Sequence, residues 1–186
     1  LVIMDGPGQL NMVRNALAAA AAASAAGATP DAIRVGLNAF RPAPGRLVAF
    51  RAASGARVLD DSYNANPDSM RAAIDVLAAA AGIRVLVMGD MGEVGADGPA
   101  YHHEIGAYAR TRGIERLLAM GELAREAVAA FGVNAEHCGD LDTLIQRARA
   151  AAVAGVTILV KGSRFMRMER VVAELTGGRG NGAGTH

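Results

Sequence analysis

Asp60-Asp61-Ser62-Tyr63-Asn64-Ala65-Asn66-Pro67-Asp68-Ser69-Met70 is the stretch on which the reading of this chain turns. A short apolar run, Arg57-Val58-Leu59, precedes it, and an amphipathic helical pattern over residues 70–81 follows. A strand therefore ends in two carboxylates and a cluster of amides, and a helix opens directly after. In an open α/β sheet such a junction binds ligands, because strand carboxyl ends and helix amino ends meet there.

The same unit recurs downstream. Ile83-Arg84-Val85-Leu86-Val87-Met88 reads as a strand ending at Gly89-Asp90, and Arg116-Leu117-Leu118-Ala119-Met120 as another ending at Gly121-Glu122. Val156-Thr157-Ile158-Leu159-Val160 is a third, ending at Lys161-Gly162-Ser163. Helical patterns separate them over residues 102–112, 123–131, 141–153 and 166–175. Strands alternating with helices of this length predict an α/β fold, a mainly parallel sheet with right-handed crossovers and flanking helices. Asp61, Asp90, Glu122 and Lys161 should then share one edge of that sheet, the functional one.

Upstream, residues 47–51 and 56–59 read as a β-hairpin turning through Ser54-Gly55. Arg41-Pro42-Ala43-Pro44-Gly45-Arg46 reads as a linker, since two prolines and a glycine stop regular structure. Residues 11–26 form a helix pattern closed by Gly27. Thr29-Pro30-Asp31 opens a second helix, with an N-cap hydroxyl, a first-turn proline and an acid near the positive end of the dipole. It should run to about Leu37.

Composition narrows the function. At 186 residues the chain is one domain, or one domain and a piece of another. Half of it is hydrophobic, but much of that is alanine, so the core is built of small aliphatic side chains. A net charge of +1 argues against a nucleic-acid or membrane-surface role, which needs a clustered basic face. One cysteine, Cys138, permits no internal disulfide and has no metal-ligand spacing; it reads as a small buried residue, and a reducing cytoplasm fits. Residues 16–26 are apolar but too short to span a bilayer. The start at Leu1 has no basic segment of a signal peptide. It has no methionine and resembles a strand already under way, so an amino-terminal truncation is expected, and the glycine-rich residues 177–186 are expected to be a disordered tail.

Several motifs suggest other chemistry and fall short of it. Gly89-Asp90-Met91-Gly92-Glu93-Val94-Gly95 is spaced GxxGxxG, not the GxGxxG of a dinucleotide loop. Lys161-Gly162-Ser163 lacks the upstream glycine of a phosphate-binding GxxxxGK[ST], and no such sequence occurs anywhere in the chain. Lysine, serine and Arg164 at a strand end can still hold a carboxylate or phosphate through charge-assisted bonds. His102 and His103 are adjacent on a helix and point apart, unlike a metal-binding i, i+4 pair; one histidine near the amino end of a helix reads as structural or capping. No nucleophile with its base is apparent, so the chemistry must come from an activated substrate.

DDSYNANPDSM, VMGDMGEVG and VKGSRFMRME, spread across the chain, resemble the Mur ligase family of peptidoglycan-building enzymes. They are most similar to its branch that adds D-alanyl-D-alanine to UDP-N-acetylmuramoyl-tripeptide, and the likeness extends from Gly8 to Leu175. The resemblance implies residues 1–43 as the end of a central ATP-binding domain and 44–176 as a Rossmann-like carboxyl domain. The amino-terminal domain and the P-loop would lie outside this chain, leaving it inactive alone. ATP and Mg2+ are implied for the full enzyme, with no metal ligand in this chain, and no nucleic acid or membrane as partner.

Position by position, the resemblance implies ATP contacts by Asn15 at the adenine edge, Arg46 at the phosphates, Asp61 at the ribose, and Tyr63 and Asn64 nearby. It implies a dipeptide side made by Asp90, Lys161, Ser163 and Arg164, with Arg46 and Lys161 catalytic. Gly8-Gln9-Leu10-Asn11 lacks the histidine that the family usually carries there, and Asn15 follows Asn11 by four residues where three are usual. Two other classes stand beside this one. A free-standing, non-catalytic or decayed ligand-binding module would need no P-loop upstream, whereas a relative ligating other amino acids, of the folylpolyglutamate or cyanophycin kind, is disfavoured by DDSYNANP.

Overall fold

The computed structural model describes residues 8–40 and 43–178, in two compact units that divide between Pro42 and Ala43. The strand expected at the start, Arg41-Pro42 of the linker and the tail beyond residue 178 lie outside the described residues. In the first unit, α1 (Gly8–Ala25) and α2 (Pro30–Ala39) form a helical pair. Thr29 caps α2 by accepting the Ala32 N–H at 3.2 Å, Pro30 and Asp31 follow in its first turn, and the helix continues two residues past Leu37.

The second unit is a six-stranded sheet in the order β1-β2-β6-β3-β4-β5. Its strands are β1 (Val48–Arg51), β2 (Arg57–Asp61), β3 (Ile83–Gly89), β4 (Arg116–Met120), β5 (Ala135–Cys138) and β6 (Val156–Lys161). Only β1, paired with β2 as the expected hairpin, runs antiparallel. The helices are α3 (Pro67–Ala78), α4 (Gly98–Thr111), α5 (Ala124–Phe131), α6 (Leu141–Ala151) and α7 (Glu169–Thr176). Helices α3, α4 and α5 make the crossovers from β2 out towards β5; α6 makes the single return to β6. With one hand for all crossovers, the first three must cover one face and α6 the other.

Burial follows that division. Val58, Val85, Val87, Ile158 and Val160 pack with Leu144, Ala148, Val171 and Val172 of α6 and α7. The alternate residues Leu59, Leu86, Met88 and Leu159 are fully buried on the α3 side, where Met70, Ile74 and Leu77 are buried too. Successive strand residues point to opposite faces, so Asp61 and Lys161 both leave the sheet on the α3 side.

Strand β5 is absent from the sequence reading. Ala135-Glu136-His137-Cys138 offers no apolar run, because an edge strand needs one buried neighbour and not two. Its Glu136 pairs with Arg116 and Arg147. Helix α7 is shorter than expected, since Arg167 adopts a left-handed conformation (φ 53°) after a 3-10 turn at Arg164–Met166. Among the described residues, no helix is long and apolar enough to cross a membrane.

Candidate functional site

The carboxyl ends of β2, β6 and β3 build the site. Asp61 and Lys161 are register partners across β2 and β6. The Lys161 ammonium is buried, 3% exposed, and donates to Asp61 Oδ2 at 2.6 Å and to the Asn64 carbonyl at 2.8 Å. An ammonium placed there without a partner would cost several kcal/mol, so the pair stands or falls together. Asp61 Oδ1 accepts the Leu47 N–H at 3.1 Å.

Asp60 points the other way and is also buried. Its Oδ1 accepts the Ser62 hydroxyl at 2.6 Å and the Ser62 N–H at 3.1 Å. Burial pushes this carboxyl above its ordinary value, with the bonds from Ser62 pulling against it. The amides further along DDSYNANP serve the backbone. Asn66 accepts the Ser69 N–H at 2.8 Å, while Ser69 Oγ accepts the Asn66 N–H at 3.0 Å, a reciprocal cap that opens α3. Asn64 Oδ1 accepts the Ala65 N–H at 2.8 Å.

Tyr63 is 45% exposed. The Arg46 guanidinium lies 4.4 Å from its ring centroid and that of Arg164 lies 5.9 Å away. Two exposed cations and a π face thus share one patch of surface, a donor set suited to anionic oxygens and a stacked planar group.

Ser163 ties three loops together. Its hydroxyl accepts the Gly92 N–H at 2.6 Å and donates to the Ala65 carbonyl at 3.1 Å, and its N–H donates to the Asp90 carbonyl at 3.0 Å. The Asp90 carboxylate accepts the Ala124 N–H at 2.8 Å and the Leu123 N–H at 3.3 Å, a negative charge at the amino end of α5. His102 is fully buried behind it: Nε2 accepts the Met91 N–H at 2.9 Å, so the proton sits on Nδ1, which donates to the Gly98 carbonyl at 2.7 Å. Of the two adjacent histidines, His102 is the one that takes a structural role, while His103 is exposed.

Eight of the nine expected site residues belong to this one edge: Arg46, Asp61, Tyr63, Asn64, Asp90, Lys161, Ser163 and Arg164. Asn15 is an exposed residue of α1 in the other unit. The sequence did not announce Leu47, whose left-handed backbone (φ 54°) is unusual for a leucine, nor Phe165, which stands 64% exposed beside Gly92. Among the described residues, no three histidine, cysteine or carboxylate side chains gather as a metal-binding set.

The family model described as Mur ligase, glutamate ligase domain matches residues 45–164. This chain belongs to the Mur ligase family. Among Mur ligases, the UDP-N-acetylmuramoyl-tripeptide–D-alanyl-D-alanine ligase of Escherichia coli (strain K12) is 47% identical over 176 residues, which cover 94% of this chain and 38% of that protein. The ligase of the same description from Haemophilus influenzae is 36% identical over 169 residues, 88% of this chain and 36% of that protein. The crystal structure of MurF from Acinetobacter baumannii matches with a TM-score of 0.76 at 36% identity, covering 88% of this chain and 36% of that one. The α/β sheet with flanking helices is therefore the Mur ligase carboxyl-terminal fold. The chain spans under two fifths of the length of each of these relatives.

Proposed function

We propose that this chain is the carboxyl-terminal portion of an ATP-dependent ligase joining D-alanyl-D-alanine to UDP-N-acetylmuramoyl-tripeptide. The observation that carries the reading is the 47% identity, over 94% of the chain, to a relative of that description. In this reading the tripeptide carboxylate attacks the terminal phosphorus of ATP, and ADP leaves with the electrons of the broken bond. The dipeptide amine then adds to the acyl carbon, loses its proton, and the tetrahedral centre collapses with release of phosphate. Positioning and charge stabilisation carry such a transfer.

Residues 1–43 are, in this reading, the end of the central domain, 44–176 the carboxyl domain and 177–186 a tail. Arg46, over the Tyr63 ring, supplies the cation turned to phosphate oxygens, with Asn64 and Asp61 beside it and Asn15 reserved for adenine. On the dipeptide side Arg164 makes the contact to the substrate carboxylate, because it is exposed while Asp90, Lys161 and Ser163 are buried. Those three shape the loops around it. Magnesium falls to residues of the enzyme beyond this chain.

A chimera tests the proposal. The matching carboxyl-terminal part of the E. coli ligase is replaced by this chain, and phosphate release is followed with UDP-N-acetylmuramoyl-tripeptide, ATP, magnesium and D-alanyl-D-alanine. Release that depends on the dipeptide supports the reading. A folded chimera without it points to a non-catalytic module, and release with another amino acid points to a ligase of different specificity.

A further inference from the structure

We propose that Lys161 and Asp61 are positioning residues whose ion pair presets Arg46 before any ligand arrives. The observation behind this is a continuous chain of contacts from the centre of the sheet to the Arg46 guanidinium. Lys161 holds Asp61 Oδ2 at 2.6 Å, which leaves Oδ1 to take the Leu47 N–H at 3.1 Å. Leu47 sits at φ 54°, a region that a bulky residue avoids and keeps only where its surroundings over-determine it.

The neighbouring residue is fixed just as firmly. The Gly45 carbonyl accepts the Tyr63 N–H at 3.0 Å. Gly45 has φ 73°, and a Cβ there would lie 2.9 Å from the Tyr63 nitrogen, so no other residue fits without displacement. Residues on both sides of Arg46 are thus held, Gly45 through its carbonyl by the Tyr63 amide and Leu47 through its amide by Asp61. Arg46 lies between the clamped residues with its guanidinium over Tyr63. Lys161 acts at a distance: its buried charge orients one carboxylate, which orients one amide, which aims one exposed cation. With an uncharged side chain at 161, Asp61 is free to turn towards solvent and the left-handed turn at Leu47 loses its restraint.

This deepens the reading above, because Arg46 belongs to the proposed phosphate-facing group, but its test needs no ligand. Hydrogen exchange and side-chain shifts are measured by NMR on the chain itself. In the parent, the Leu47 amide should exchange at least ten-fold more slowly than the exposed turn amide of Ser54, and the Arg46 side-chain protons should be shifted upfield by the Tyr63 ring. Lys161→Met and Asp61→Asn should each erase both signals while the amides of β3 and β4 stay protected. Unchanged signals in variants with that protection intact would overturn the proposal. An unprotected Leu47 amide in the parent overturns it whether or not the variants fold. A failed clamp leaves the ligase reading standing, and a failed chimera leaves the clamp standing.

Discussion

Replacing Arg46 by alanine removes an exposed cation already stacked on Tyr63 and disturbs nothing buried. In the complete ligase, kcat should therefore fall further than the affinity for dipeptide. Electrostatic contacts made to a developing charge are worth roughly 10²–10³ in rate, which sets the scale to look for in steady-state assays. Glu115 gives a prediction in pH. It is bonded by the Arg84 guanidinium and accepts the Arg84 N–H at 2.8 Å, and this partner holds its carboxyl below the ordinary value of 4.5. A carboxyl depressed on folding stabilises above its unfolded pKa and loses that contribution as the pH falls through the folded one. Glu115→Gln should then cost about 0.5 kcal/mol at neutral pH, solvent screening keeping it small, and nothing in strong acid. Urea unfolding at the two pH values checks this. At this scale the sequence marked which residues reach the edge but not what their side chains do there. Lys161 ends a strand in the sequence; its ion pair depends on Asp61 being its register partner from a strand 100 positions away.

Helix α3 begins at Pro67, three residues before the apolar periodicity that announces it, because Asn66 and Ser69 satisfy each other's amides. Asn66→Ala should lower stability by about 1 kcal/mol, read as a lower melting temperature, with the sheet unchanged. Helices α4 and α5 meet at Gly106, where a Cβ would lie 2.1 Å from the Ala127 carbonyl oxygen. Gly106→Ala must push the helices apart and should cost about 3 kcal/mol or more, measurable by denaturant unfolding. Nothing in the sequence singles out this glycine, since a helix-helix approach is set by the fold around it. Buried parallel strands were legible for a physical reason: covered on both faces, β3, β4 and β6 each carry an unbroken apolar run, over residues 85–88, 117–120 and 158–160. Strand β5, covered by a neighbour along one side only, carries Glu136 and His137 and so reads as loop.

At the scale of the molecule, the sequence lacks any GxxxxGK[ST], so nothing in it can cradle the phosphates of ATP in the P-loop manner. The purified chain should release phosphate only at background rate with all four reaction components present. Clear turnover would place the catalytic machinery within these 186 residues and overturn the proposed division of labour. Among the described residues the sheet is bordered by β1 and β5, each four residues long. One rim bears Arg51, and the other bears Glu136 braced by two arginines. Short, charged borders are poor templates for a foreign backbone. A concentrated or partly unfolded preparation should therefore not grow fibrils by extending this sheet, and a thioflavin dye should stay dark while any precipitate forms by another route.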